Sequence, residues 1–141
     1  MTKSSDVRVE AVALTFSHER LAVPLRLSRG LITEVTYAKV VVDVRTRGGQ
    51  TAQGTGAIFL SDLWAFPDPA YDHAQKDLAM RTLCQTIAAT LQSGDDYADP
   101  LEKGHYLETV LPRLVTQAET TLPFLAPAAM PYLAALNCFS P

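Results

Sequence analysis

The stretch "TYAKVVVDVRT", Thr36 to Thr46, constrains the fold more than any other part of the chain. It sets Tyr37, Lys39, Val41, Asp43 and Arg45 against Ala38, Val40, Val42 and Val44. A period of two belongs to a β-strand, whose successive side chains point to opposite faces. One face of this strand is uniformly apolar, so something must cover it, and the chain needs a second layer.

The flanking residues extend the strand into a sheet. Gly48-Gly49 supplies a turn where positive φ costs little, and "QTAQGTGAIFL" returns as a partner strand. Upstream, Val7, Val9, Ala11 and Ala13 alternate with Arg8, Glu10, Val12 and Leu14, which predicts a half-buried strand with the first set on its apolar face. The segment from about Thr15 to Ile32, charged and containing Pro24 and Gly30, reads as a loop. The expected product is a three-stranded antiparallel meander over residues 6–60.

After residue 60 the period changes. Asp68-Pro69 reads as the start of a helix over 69–92, in which Ala74, Leu78, Met80, Leu83, Cys84, Ile87 and Leu91 recur at three- and four-residue steps until "QSGDD" breaks the pattern. A second helix, over 100–120, starts at Asp99-Pro100-Leu101-Glu102. There Asp99 can cap the backbone and Glu102 can reach back. Its buried stripe is Leu107, Val110, Leu111, Leu114 and Val115. "PYLAALNCFSP", Pro131 to Pro141, reads as the opening of a third helix with an apolar side of Leu133, Leu136 and Phe139. Strands and helices in separate blocks predict an α+β fold: a meander followed by a bundle of about three helices.

At 141 residues and 48% hydrophobic composition the chain has the length of one domain with a true core. Twelve basic against fifteen acidic side chains give a net charge of -3, with the basic ones scattered singly. Nucleic acid and anionic membrane surfaces are therefore not expected as partners. The apolar runs are too short for a spanning segment or a signal peptide, so the expected setting is cytoplasmic. Cys84 and Cys138 sit in apolar helical patterns and are expected as buried free thiols.

The search for chemistry excludes more than it finds. His18, His73 and His105 are dispersed, with no second ligand at metal spacing on a shared element. His73 and His105 read as solvated or hydrogen-bonded groups near helix starts. Ser4-Ser5 and Ser28 lack the context of a nucleophile elbow. Gly54 and Gly56 continue into strand where a phosphate loop would open a helix. Asp95, Asp96 and Asp99 read as a solvated link.

Two segments remain. "TFSHERLAVPLRLSRGLI" carries His18, Arg20, Arg26 and Arg29, and guanidinium groups suit carboxylate recognition. "IFLSDLWAFPDP" carries Leu60, Ser61, Trp64 and Phe66, and its aromatics either plug the core or face a ligand or another domain.

The succession "VRVEAVALTF", "PLRLSRGLITEVTYAKVVVDVRTRGGQTAQGTGA", an aromatic-rich segment and two helices resembles the N-terminal capping domain of the enolase superfamily. The resemblance is to the mandelate racemase/muconate lactonizing enzyme group and covers nearly the whole chain. It implies that residues 1–126 form the capping domain and that 127–141 begin the helix leading to a (β/α)-barrel beyond Pro141. In such enzymes the barrel carries the Mg²⁺ ligands and the bases that remove a proton α to a carboxylate, whether the enzyme is a dehydratase, racemase, epimerase or cycloisomerase. The capping domain supplies two segments that close over the barrel mouth, here about Thr15–Ile32 and Ala57–Pro67.

The resemblance makes His18, Arg20, Arg29, Leu60, Ser61 and Trp64 candidates for contact with a carboxylate substrate, possibly a sugar acid. The chain itself is expected to carry no catalytic residue, to hold no Mg²⁺, to be inert alone and to be part of a homo-oligomer. Gly56-Ala57 departs from the Gly-Glu pair frequent in the family, so an acidic role there does not carry over. Without a barrel, the apolar side of the terminal helix is expected to lack cover. The alternative is a self-standing module that binds a small ligand or a protein without catalysis.

Overall fold

The computed structural model describes residues 3–28, 30–127, 130 and 133–139, and at 64, 133 and 134 the backbone only. The α+β fold is as expected. Strands β1 (Val7–Leu27), β2 (Gly30–Thr46) and β3 (Thr51–Leu60) form an antiparallel sheet in the order β1-β2-β3. The β2–β3 turn closes with Thr46 N–H donating to the Gln50 carbonyl at 2.8 Å, and Gly49 takes the positive φ of 88° that the turn requires. Ala38 and Val40 on the apolar face of β2 are buried.

The structure corrects the reading of β1 in two places. Val9 lies opposite Val44 and Ala11 opposite Asp43, so Glu10 is an extra residue and forms a β-bulge. A bulge reverses the alternation beyond it. Val7 and Val9 point inward before it, and Val12, Leu14 and Phe16 pack against the core after it. Ala11 and Ala13, expected inside, lie opposite Asp43 and Val41 on the other face.

The second correction concerns Thr15–Ile32, which is not a loop. β1 and β2 continue as a two-stranded ribbon until Leu27 lies opposite Gly30. Pro24 is accommodated because residues 21–24 stand against Thr33 alone, in a second irregularity on an edge strand, where a missing N–H breaks no ladder bond.

Helices α1 (Asp62–Ala65), α2 (His73–Ser93), α3 (Pro100–Thr120) and α4 (Leu133–Asn137) follow. α3 begins where expected, with the reciprocal Asp99–Glu102 capping box in place. α2 begins later than Asp68-Pro69. The Asp68 carboxylate accepts from Ala70 N–H at 2.9 Å and makes a turn, and the helix is capped by Asp72, whose box with Gln75 is complete. The inward stripe of α2 is Ala79, Met80, Leu83, Cys84 and Ile87, whereas Ala74 and Leu78 are exposed. Phe66 fills the core, edge-on to Tyr71 at 5.6 Å, which settles one aromatic of its segment as a plug.

The end of the chain is not bare. Ala135 and Cys138 are fully buried against β3 and α2, with Leu136 and Phe139 partly so. A Cβ at Gly56 would collide with the Cys138 carbonyl, so only glycine lets this segment settle on the sheet. The Cys138 thiol donates to the Ala38 carbonyl at 3.6 Å. Of the apolar side expected for the terminal helix, Leu136 and Phe139 are partly buried against the core and Leu133 is described by its backbone alone, while Pro131, Tyr132, Ser140 and Pro141 lie outside the described residues. Both cysteines are free and buried.

Candidate functional site

The ribbon runs past the helical layer, so its side chains lose their cover. Val23 is 79% exposed, and Leu25, Leu27 and Leu31 are exposed with it. α1 follows β3 directly, because Leu60 ends the strand inside the core and Ser61 turns the chain. These elements meet at one end of the sheet. A Cβ at Gly30, near the tip of the ribbon, would sit 3.5 Å from Leu63 of α1.

Charged groups gather beside this contact. His18 Nε2 lies 3.0 Å from Glu34 Oε2. His73, the first residue of α2, places Nε2 3.9 Å from Glu34 Oε1 and Nδ1 3.2 Å from Asp62 Oδ2. Arg20 lies opposite Glu34 in the ribbon. The hydrogen bond from His18 holds the Glu34 carboxyl below its ordinary range, with the charges of His18, His73 and Arg20 acting in the same direction and partial burial opposing them.

The six residues singled out in the sequence divide clearly. His18 and Arg20 lie on the ribbon and are exposed. Leu60 is fully buried in the core. Ser61 is 6% exposed, and its hydroxyl has no hydrogen-bond partner among the described residues. Trp64 is described by its backbone alone, within α1, and Arg29 lies outside the described residues.

Glu34, Asp62 and His73, which join His18 into one cluster, were not singled out as partners. They belong to three elements, and no spacing in the sequence links them. Among the described residues no group of three or more His, Cys, Asp or Glu side chains is arranged to hold a metal ion. No helix among the described residues is long and apolar enough to cross a membrane.

A second feature lies on the opposite side of the core. A cavity of about 450 Å³ opens between the inner face of the sheet, the ends of α2 and α3, and the terminal segment. Val9, Val42, Gly54, Leu91, Leu107 and Phe139 are among its lining residues.

No protein-family model and no curated protein matches the chain. Among solved structures, an enolase from Bradyrhizobium complexed with magnesium and mandelic acid is 19% identical, with a TM-score of 0.44, over 82% of this chain and 29% of that one. A dipeptide epimerase from Enterococcus faecalis V583, complexed with Mg and the dipeptide L-Leu-L-Tyr, is 18% identical, with a TM-score of 0.41, over 86% of this chain and 27% of that one. An L-talarate/galactarate dehydratase from Salmonella typhimurium LT2 is 18% identical, with a TM-score of 0.43, over 84% of this chain and 25% of that one. These structures are enolase-superfamily enzymes, and this chain spans less than a third of the length of each.

Proposed function

We propose that the chain is the substrate-capping and specificity domain of a Mg²⁺-dependent enolase-superfamily enzyme, inert in isolation. The order of sequence features resembles that domain, and one structural observation carries the reading. The two segments expected to close over a barrel mouth, the β1/β2 ribbon and the α1 turn, meet at Gly30 and Leu63. On this reading the parent enzyme removes a proton α to a carboxylate, and residues of a barrel hold the metal and the bases. His18 and Arg20 contact the substrate, Arg29 and Trp64 stay candidates on the sequence resemblance alone, and buried Leu60 and Ser61 support the turn from beneath. The parent is a homo-oligomeric cytoplasmic enzyme acting on a sugar acid or related carboxylic acid.

The reading frame beyond the codon for Pro141 tests this proposal. Barrel strands ending in Lys, Asp and Glu support it, and a stop codon there overturns it. Calorimetric titration of the chain with Mg²⁺ should detect no tight site, and sugar acids should not turn over.

One observation favours a second reading, a self-standing small-ligand module. The cavity of about 450 Å³ falls in the range of small-molecule sites and is largely apolar. Hydrophobic dye bound there, and excluded by Gly54→Phe, would support it.

A further inference from the structure

The two edges of the sheet differ in how they are protected. On β1, Glu10 bulges out of register, Val7 pairs with Ala98, the Val12 N–H donates to Gln92 Oε1 at 3.2 Å, and Arg8, Glu19 and Arg20 add charge. Such devices keep an edge from pairing with another chain. β3 has none of them. From Thr51 to Leu60 it holds no charged residue, no proline and no break in its register with β2. The Thr46 N–H donates to the Gln50 carbonyl, and hydrogen-bonded pairs recur at every second residue from there, so Ala52, Gly54, Gly56 and Ile58 bond to β2. Thr51, Gln53, Thr55 and Ala57 are exposed and turn their backbone N–H and C=O groups outward, where no other backbone group meets them among the described residues. We infer that β3 pairs antiparallel with β3 of a second copy of this chain, about a twofold axis at Thr55, joining the two three-stranded sheets into one.

Charge selects a second copy as the occupant. In this register each Thr55 lies opposite the other, and Gln53 of one copy lies opposite Ala57 of its partner. Within one chain Ala57 stands beside Lys39 and Gln53 beside Asp43, whose Oδ1 accepts from Gln53 Nε2 at 2.8 Å. The joined sheet therefore puts Lys39 of each copy on the same row as Asp43 of the other. They stand three strand spacings of about 4.8 Å apart, a gap that the long Lys39 side chain shortens by lying over the small Ala57. The same twofold sets Phe59, 51% exposed, opposite the β-branched Thr51 of the partner. A foreign strand would have to supply this match, whereas a second copy brings it, as an isologous interface requires. The Phe59 carbonyl accepts from the Ser61 N–H at 3.0 Å, which closes the open edge at that end. Only the sheet enters this argument, so the interface gives the homo-oligomer a geometry without resting on the capping reading.

Sedimentation velocity tests the inference on the full chain carrying Val23→Lys and Leu25→Ser, which weaken association through the ribbon. That chain should form a discrete dimer at tens of micromolar. Adding Thr55→Pro removes only an outward N–H, a change an edge strand tolerates, and should raise the dimer dissociation constant about tenfold or more. Thr55→Lys and Thr55→Glu each set like charges opposite one another at the axis and should raise it about two- to fivefold. An equimolar mixture of these two variants should regain the affinity each has lost, because only a twofold at residue 55 brings the opposite charges together. Position 55 is exposed, so both charged variants leave the core intact. A monomer at every concentration, a dimer indifferent to Thr55→Pro, or a mixture that associates no better than either charged variant alone would overturn the inference.

Discussion

At Gly56 a missing side chain decides what the end of the chain can touch. Gly56→Val should push the Cys138 segment off the sheet and cost about 1–3 kcal/mol, read from the urea midpoint. It should also make Cys138 react faster with a thiol reagent. Gly54, two residues earlier on the same face, has nothing within 4 Å of its virtual Cβ, so Gly54→Ala should stay within about 0.5 kcal/mol of the parent.

The thiol reports on the same contact through pH. Burial raises Cys138 to about 11. Its contribution to stability is therefore intact below the ordinary thiol range and is lost as pH climbs from there toward about 11. Urea midpoints at about pH 8 and about pH 10 should fall less in Cys138→Ala than in the parent. At this scale the sequence announced burial for both cysteines. It did not announce the carbonyl over Gly56, which comes from a residue 82 positions away.

At the scale of elements, local chemistry reads well where a signal is self-contained. Asp99 and Glu102 are three residues apart and mark the start of α3 without help from the rest of the fold. Asp68-Pro69 carries a similar signature, yet the turn at Ala70 absorbs it and Asp72 caps α2. Asp72→Ala should thus cost about 1 kcal/mol in thermal or urea unfolding, and Asp68→Ala markedly less. Pro112 interrupts the hydrogen bonding of α3 on its exposed side. Pro112→Ala should restore one backbone bond and raise stability by about 1–3 kcal/mol in the same assay. The ribbon escaped the periodicity reading because a strand exposed on both faces has no apolar alternation to show. The bulge at Glu10 escaped it because Val7 and Val9 before it, and Val12 and Leu14 after it, are all apolar.

At the scale of the whole molecule, Val23, Leu25 and Leu31 leave apolar surface uncovered along the ribbon. Such a patch drives association. Sedimentation velocity should show concentration-dependent self-association of the chain, weakened by Val23→Lys together with Leu25→Ser. A monomer at every concentration would contradict this. The candidate site follows the same division. His18 and Arg20 stand out by composition in a charged segment, but the cluster that holds them was invisible, since Glu34, Asp62 and His73 come from separate elements. By itself the sequence determined the layers: a period of two over residues 7–14 and 36–46 and a period near 3.6 after residue 60 specify a sheet and the helices that cover it, because periodicity is a property of neighbouring residues. Only the tertiary structure decided the bulge, the seat of Cys138 on Gly56 and the convergence of two imidazoles on Glu34. Each of these depends on which distant backbone or side chain arrives at a given face, and that is set by the packing of the whole chain.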